Sequence, residues 1–219
     1  MGTTTLIIAR HGNTFRKEET PTRVGARTDL PLVEEQKGRS IGRYLKERCL
    51  VPQQVFASPL IRAVKTAQLA MEEMDIKQEI ILLHEFTEID YGPDENKTED
   101  EVLWRLGNGD TEKGKEIIEA WNRQGIVPAG WIVDPEKIIK DWFQWAKNRV
   151  NKDGEDSCSL IVTSNGIIRF SPYLTGNFEE FAKNNDIKVA TGGVAVFEKK
   201  EDDCFWNCKA WNVKPFLNN

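Results

Sequence analysis

Four loops, each closing a short aliphatic run, carry side chains able to handle an oxyanion. They are Arg10-His11-Gly12 after Leu6-Ile7-Ile8-Ala9, Ser58 after Val55-Phe56-Ala57, Glu85 to Glu88 after Glu79 to Leu83, and Ser164-Asn165-Gly166 after Leu160-Ile161-Val162-Thr163. In the first, an imidazole stands beside a permanently charged guanidinium and a glycine that permits close backbone approach, a combination suited to an oxyanion. Taken alone, a histidine in a loop is more often a hydrogen-bonded bystander than a nucleophile, and the tripeptide Arg-His-Gly does not decide between them.

The elements that must position these loops follow from periodicity. The aliphatic runs read as buried strands, the stretch from Glu34 to about Arg48 as a helix, and Ser58-Pro59 as the start of a second helix, with Ser58 as its cap and Leu60, Ala63, Val64, Ala67 and Ala70 on its apolar side. Gly193 to Lys199 and Cys204 to Val213 read as a closing hairpin. Strands alternating with helices and apolar on both faces predict a three-layer α/β/α sandwich with a largely parallel mixed sheet. Ligands in such sheets bind beyond the carboxyl ends of the strands, where all four loops fall.

One domain spanning residues 1–219 is expected, with a helical insertion over about 93–133. There Thr98 and Glu101 form a capping box ahead of Val102, Leu103 and Leu106, Gly107 is placed to end that helix, and Ile117, Ile118 and Trp121 mark a second one. A long helix then opens at Asp134-Pro135 and carries Ile138, Ile139, Trp142, Ala146 and Val150 at helical spacing. Trp104, Trp121, Trp131, Trp142 and Trp145 are expected chiefly to pack this region onto the body, while the insertion is expected to cover the pocket and to offer Arg105 and Lys113 to a substrate.

Three segments taken together, Leu6 to Thr14, Ser58-Pro59-Leu60-Ile61-Arg62-Ala63 with Thr66-Ala67, and Glu88-Ile89-Asp90-Tyr91-Gly92, resemble the histidine phosphatase superfamily, the phosphoglycerate mutase-like proteins. The resemblance runs from about Thr3 to Phe197. It implies that His11 is phosphorylated during reaction, that Arg10 and Arg62 hold the phosphoryl group, and that Glu88, four residues before Gly92, supplies and removes a proton. Asn13, Thr14, Asn165 and Gly166 complete the expected binding set. Elementary chemistry agrees: two guanidiniums give planar donors that stay ionised, neutral imidazole can attack phosphorus, and a protonated carboxyl can donate to the leaving oxygen. Glu88 needs a raised pKa for that role, expected from Glu85, Asp90 and partial burial.

The chain departs from the family where a second histidine usually stands, because Asn165 occupies it, with Arg169 four residues on. An amide still donates from its NH2 group but never becomes cationic, which predicts slowed or specialised catalysis. Lys17 replaces an asparagine common six residues after the nucleophile. Mutase-specific segments are absent, so phosphomonoester hydrolysis is expected, the alternatives being a weak or silent relative that binds phosphorylated ligands or a protein partner, and a phosphoglycerate mutase.

The chain's 219 residues are 39% hydrophobic and 30% charged, with a formal charge of −5. No overall positive field exists for a nucleic acid or an anionic membrane, so an anionic substrate needs a local site. No run spans a bilayer and no export signal is visible, which predicts a cytoplasmic protein whose four cysteines, Cys49, Cys158, Cys204 and Cys208, stay reduced. With only His11 and His84 to accompany them, neither a metal nor another cofactor is expected. The expected ligand is a small phosphorylated substrate, and a homodimer is open.

Overall fold

The computed structural model describes residues 2–150 and 154–217. Its centre is a six-stranded sheet built from β1 (Thr3–Arg10), β2 (Gln54–Ala57), β3 (Ile80–Leu82), β4 (Ser157–Thr163), β5 (Val194–Lys200) and β6 (Asn207–Val213), in the order β3-β2-β4-β1-β5-β6. The first four strands run parallel, and β5 and β6 pair antiparallel at one edge. This is the three-layer α/β/α arrangement the strand pattern predicts.

Strand periodicity decides which residues build which layer. Leu6 and Ile8 face one side with Phe56, Ile161 and Phe197, while Ile7 and Ala9 face the other with Val55, Leu160, Val162 and Val196. On the second face pack α1 (Gln36–Glu47) and α2 (Ile61–Glu73), whose small residues Gly38, Gly42 and Ala70 allow close helix contact. The first face is covered by α5 (Pro135–Lys147), which buries Trp142 and Trp145 against Phe86 and Phe56. Trp142 keeps its indole N–H satisfied on the Ile167 carbonyl at 3.0 Å, which makes full burial affordable.

Between β3 and α5 lie α3 (Glu99–Leu106) and α4 (Thr111–Gln124), where the sequence places helices. The Thr98 and Glu101 capping box is present, α5 is capped by Asp134 with Pro135 in its first turn, and Gly107 ends α3. Of the five tryptophans named above, Trp121, Trp131, Trp142 and Trp145 are buried, and Trp104 is 60% exposed. Two short helices were not foreseen: α6 (Asn165–Ile168) begins directly at the Ser-Asn-Gly element, and α7 (Phe178–Asn184) precedes β5.

The start of α2 differs from expectation. Ser58 makes no cap, and its buried hydroxyl has no hydrogen-bond partner among the described residues. The helix begins after Leu60, and the Ile61 N–H donates instead to Asp29 Oδ1 at 2.9 Å, a cap supplied from a distant loop that no local pattern announces. Among the described residues the cysteines are free, and no helix is long and apolar enough to cross a membrane.

Candidate active site

At the carboxyl ends of β1 and β4 a cavity of about 820 Å³ opens, lined among others by Arg10, His11, Glu88 and Asn165. His11 follows β1 and is 7% exposed. Its Nδ1 lies 2.7 Å from the carbonyl of Gly12, an acceptor only, so Nδ1 carries the proton and Nε2 keeps its lone pair. Arg62 agrees with that tautomer, because its Nε–H donates to His11 Nε2 at 3.3 Å. Burial, then Arg62, then Arg10 hold the imidazole pKa well below its ordinary value, so the ring is neutral at pH 7.

Arg62 is fully buried on α2 and does not line the open cavity. Its remaining nitrogens donate to the carbonyls of Thr28 at 2.9 Å and of Val24 and Gly25 at 3.4 Å, fastening the loop after His11 above the ring. Thr66, one turn further along α2, accepts from Gly12 N–H at 3.1 Å. One helix therefore fixes both the imidazole and the loop around it. Arg10 donates to the Val189 carbonyl at 2.6 Å, and its buried Nε has no partner among the described residues.

Glu88 is 6% exposed, and its Oε1 accepts the Ile89 N–H at 2.9 Å. Its pKa is raised by burial, against the opposing pull of the Ile89 N–H, Arg62, Arg10 and the Gly166 N–H. Glu85 and Asp90 are not the cause: Glu85 is exposed, and Asp90 is engaged by Arg27 at 3.0 Å. Gly166 is absent from the cavity wall. A side chain there would collide with Glu88 Oε1, so the glycine makes room for the carboxyl instead of touching substrate.

Asn165, at the start of α6, accepts the Val189 N–H on Oδ1 at 2.8 Å. A backbone donor on that branch fixes the amide orientation and makes the other branch of Asn165, which lines the cavity, the NH2 group. The amide thus copies a neutral imidazole that accepts at one nitrogen and donates at the other. Asn165→His can keep this pairing only as the neutral ring, Nδ1 accepting the Val189 N–H and Nε2–H donating into the cavity, and restoring the imidazole donor usual in the family should raise kcat on an aryl phosphate about tenfold. An unchanged or lower kcat would show a pocket adapted to the amide.

Other expected residues meet different fates. Thr14 lines the cavity, as does Asn13, but the Asn13 amide is held by Glu34, Lys37 and Thr191 on its two ends. Ser58 and Glu85 stay outside the wall. Arg105 and Lys113 do not reach it: Arg105 grips buried Asp94, and Lys113 faces Asp110 at 3.7 Å. The insertion contributes Thr98, Glu99 and Asp100 at the start of α3 and Ile118, Trp121 and Asn122 of α4 instead. Arg23, Tyr91, Arg169 and Lys188 also line the cavity. Of these, Arg169 had a sequence signal, its place one helical turn after Asn165.

The described residues hold no cluster of three or more histidine, cysteine or carboxylate side chains placed to bind a metal ion. A family model described as histidine phosphatase superfamily (branch 1) matches residues 6–214. Among solved structures, a phosphoglycerate mutase from Bacillus anthracis str. Sterne is similar with a TM-score of 0.80 at 18% identity, over 99% of this chain and 96% of that one. A mycobacterial glucosyl-3-phosphoglycerate phosphatase gives 0.72 at 16%, over 96% and 99%. A phosphoserine phosphatase from Entamoeba histolytica, solved with 3-phosphoglyceric acid, gives 0.68 at 21%, over 98% and 99%. No curated protein sequence matches the chain.

Proposed function

Because this chain belongs to the histidine phosphatase superfamily (branch 1), we propose that it hydrolyses a small phosphomonoester through a phosphohistidine on His11. The observation that carries this reading is the state of one ring: Nδ1 tied to the Gly12 carbonyl, and Nε2 unprotonated at a cavity wall that also presents Arg10.

The steps balance as follows. The substrate phosphoryl group enters against Arg10 and the Asn165 NH2 group, and the Arg62 Nε–H turns from His11 Nε2 to a phosphoryl oxygen, freeing the lone pair. Nε2 forms a bond to phosphorus as the ester P–O bond breaks, and Glu88 gives its proton to the departing alkoxide. Glu88, now a carboxylate, takes a proton from water as the water oxygen attacks phosphorus. The N–P bond breaks, its electron pair returns to Nε2, and inorganic phosphate leaves. Names of similar proteins support two chemistries, phosphatase and mutase. The hydrolytic reading is preferred because no mutase-specific segment is recognisable in the sequence.

Trapping tests it. With a phosphomonoester labelled in its phosphorus, quenching in base should leave label on His11 at near-stoichiometric level, and quenching in acid should release it, as phosphoramidates require. Label stable to acid, or inversion of configuration at a chiral phosphorus during turnover, the mark of a single displacement by water, would exclude the histidine intermediate.

A further inference from the structure

Lys37 stands half-buried in the first turn of α1, where the helix dipole opposes a cation. Arg39, Arg43 and Lys46 on the same helix have carboxylate partners, whereas Lys37 has none within ion-pair distance among the described residues. Burial holds its pKa below the ordinary value, with Glu34 opposing and Arg10 assisting from further off. An ammonium so placed depends on its short contacts. Nζ donates to Thr191 Oγ1 at 2.7 Å and to Asn13 Oδ1 at 3.0 Å, and the Phe216 ring lies 4.5 Å from it. The Thr191 hydroxyl closes the triangle by donating to Asn13 Oδ1 at 2.6 Å.

These contacts tie α1 to the loop after His11, to residues 189–193 before β5, and to the C-terminal turn Pro215–Leu217. Residues 189–193 frame the phosphoryl site. The Gly192 N–H donates to the carbonyls of Arg10 and His11, both at 3.1 Å, and the Arg10 N–H donates to the Gly193 carbonyl at 2.9 Å. Val189 takes the Arg10 guanidinium on its carbonyl and orients the Asn165 amide with its N–H. Gly192 has a φ of +73°, and a Cβ there would stand 2.9 Å from Lys37 Cβ, so the segment passes the lysine stem at a distance that glycine allows. On the far side Asn212 Oδ1 accepts the Ala190 N–H at 2.8 Å. Lys37 itself is absent from the cavity wall, so any effect on reaction passes through Thr191 and Asn13.

We propose that Lys37 is a positioning residue for phosphoryl transfer at His11. Through Thr191 and Asn13 it sets residues 189–193 against the nucleophile loop, and Phe216 keeps its ammonium in place. The proposal rests on the phosphatase reading above for the step it aligns, and extends that reading to a side chain outside the cavity.

Single-turnover phosphorylation by a nitrophenyl phosphate tests it, read as the rate at which label reaches His11 and normalised to the label finally bound. Lys37→Met keeps an apolar stem against Gly192 and removes the donors. It should slow labelling about tenfold, the scale of a small misplacement of reacting groups. Thr191→Val should slow it about as much, and the double variant should be no slower than the slower single one, because both substitutions break one bracket. Phe216→Ala should slow it about threefold, the worth of one exposed cation–π contact. A lysine that served stability alone would lower the final amount of label and leave its rate unchanged.

A rate within about twofold of wild type in Lys37→Met, or losses that multiply in the double variant, would overturn the positioning role. Should Lys37→Met fail to fold, Thr191→Val decides by the same limit. Absence of label on His11 in the wild type would instead sink the phosphohistidine reading. The dissociation constant of inorganic phosphate would then decide the bracket, with binding about fivefold weaker in each single variant supporting it and unchanged binding overturning it.

Discussion

On the proposed mechanism, His11→Ala should lower kcat/KM for an aryl phosphate by about 10⁴-fold or more, because the covalent bond to phosphorus would form on His11 Nε2. Arg10, Arg62 and Asn165 can still bind a phosphoryl group, and Glu88 can still hand over a proton, but direct attack by water lacks the division into two easier displacements. The variant should remain folded. The imidazole is neutral and donates only to the adjacent Gly12 carbonyl, so the main structural loss is the unpaired Arg62 Nε–H, on the order of 1–3 kcal/mol. A thermal melt and phosphate binding by calorimetry separate the two effects: binding should persist near the wild-type level while turnover disappears. A loss below tenfold in a folded variant would mean that His11 is a bystander and that the site acts without a covalent step.

The legible parts of this molecule were those fixed by short-range physics. Runs such as Leu6 to Ala9 alternate between two buried faces, and a one-residue slip would exchange every side chain, so the strands could be read directly. Thr98, Glu101, Asp134 and Pro135 act on their own helix ends and were equally readable. The residues that escaped prediction depend on distant partners. Asp29 caps α2 from a separate loop, which leaves Ser58 idle. Arg105 is drawn off by Asp94, a carboxylate buried under Trp131, and so never reaches the cavity that its place in the insertion suggested. Arg169 and Lys188 come together because α6 and the segment before β5 meet at the end of the sheet, a juxtaposition no spacing along the chain encodes.

Glu88→Gln should produce the second large effect, and its sign differs between activity and stability. The proposed hydrolysis needs His11 deprotonated and Glu88 protonated. The His11 pKa is held below 6.5, so activity is lost only at pH values more acid than that. The Glu88 pKa is raised above 4.5, so activity falls as pH rises through that higher value. A bell-shaped profile follows for kcat/KM with an alkyl phosphate, its acid limb set by His11 and its alkaline limb by Glu88. Glutamine cannot donate a labile proton to an alkoxide or accept one from water, and kcat should drop by about 10²–10⁴-fold for glycerol 3-phosphate. Single-turnover phosphorylation by a nitrophenyl phosphate should survive far better, since nitrophenolate leaves without a proton. Equal losses for both leaving groups would remove Glu88 from the acid role.

Stability should move the other way. A carboxyl whose folded pKa lies above its unfolded value binds more protons when folded. Wild-type stability therefore falls as pH rises from about 4.5 through the folded pKa. Glutamine keeps an oxygen for the Ile89 N–H yet has no charge to bury. The variant should melt at a higher temperature than the wild type at pH 8, and the two should converge below pH 4.5. A lower melting temperature for Glu88→Gln at pH 8 would show that Arg10 and Arg62 need the carboxylate more than burial penalises it, and would place Glu88 in the ionised state before substrate arrives. The acid in the first step would then have to acquire its proton from the incoming phosphomonoester, and the alkaline fall in kcat/KM would follow the substrate's own ionisation near pH 6 instead of the enzyme's.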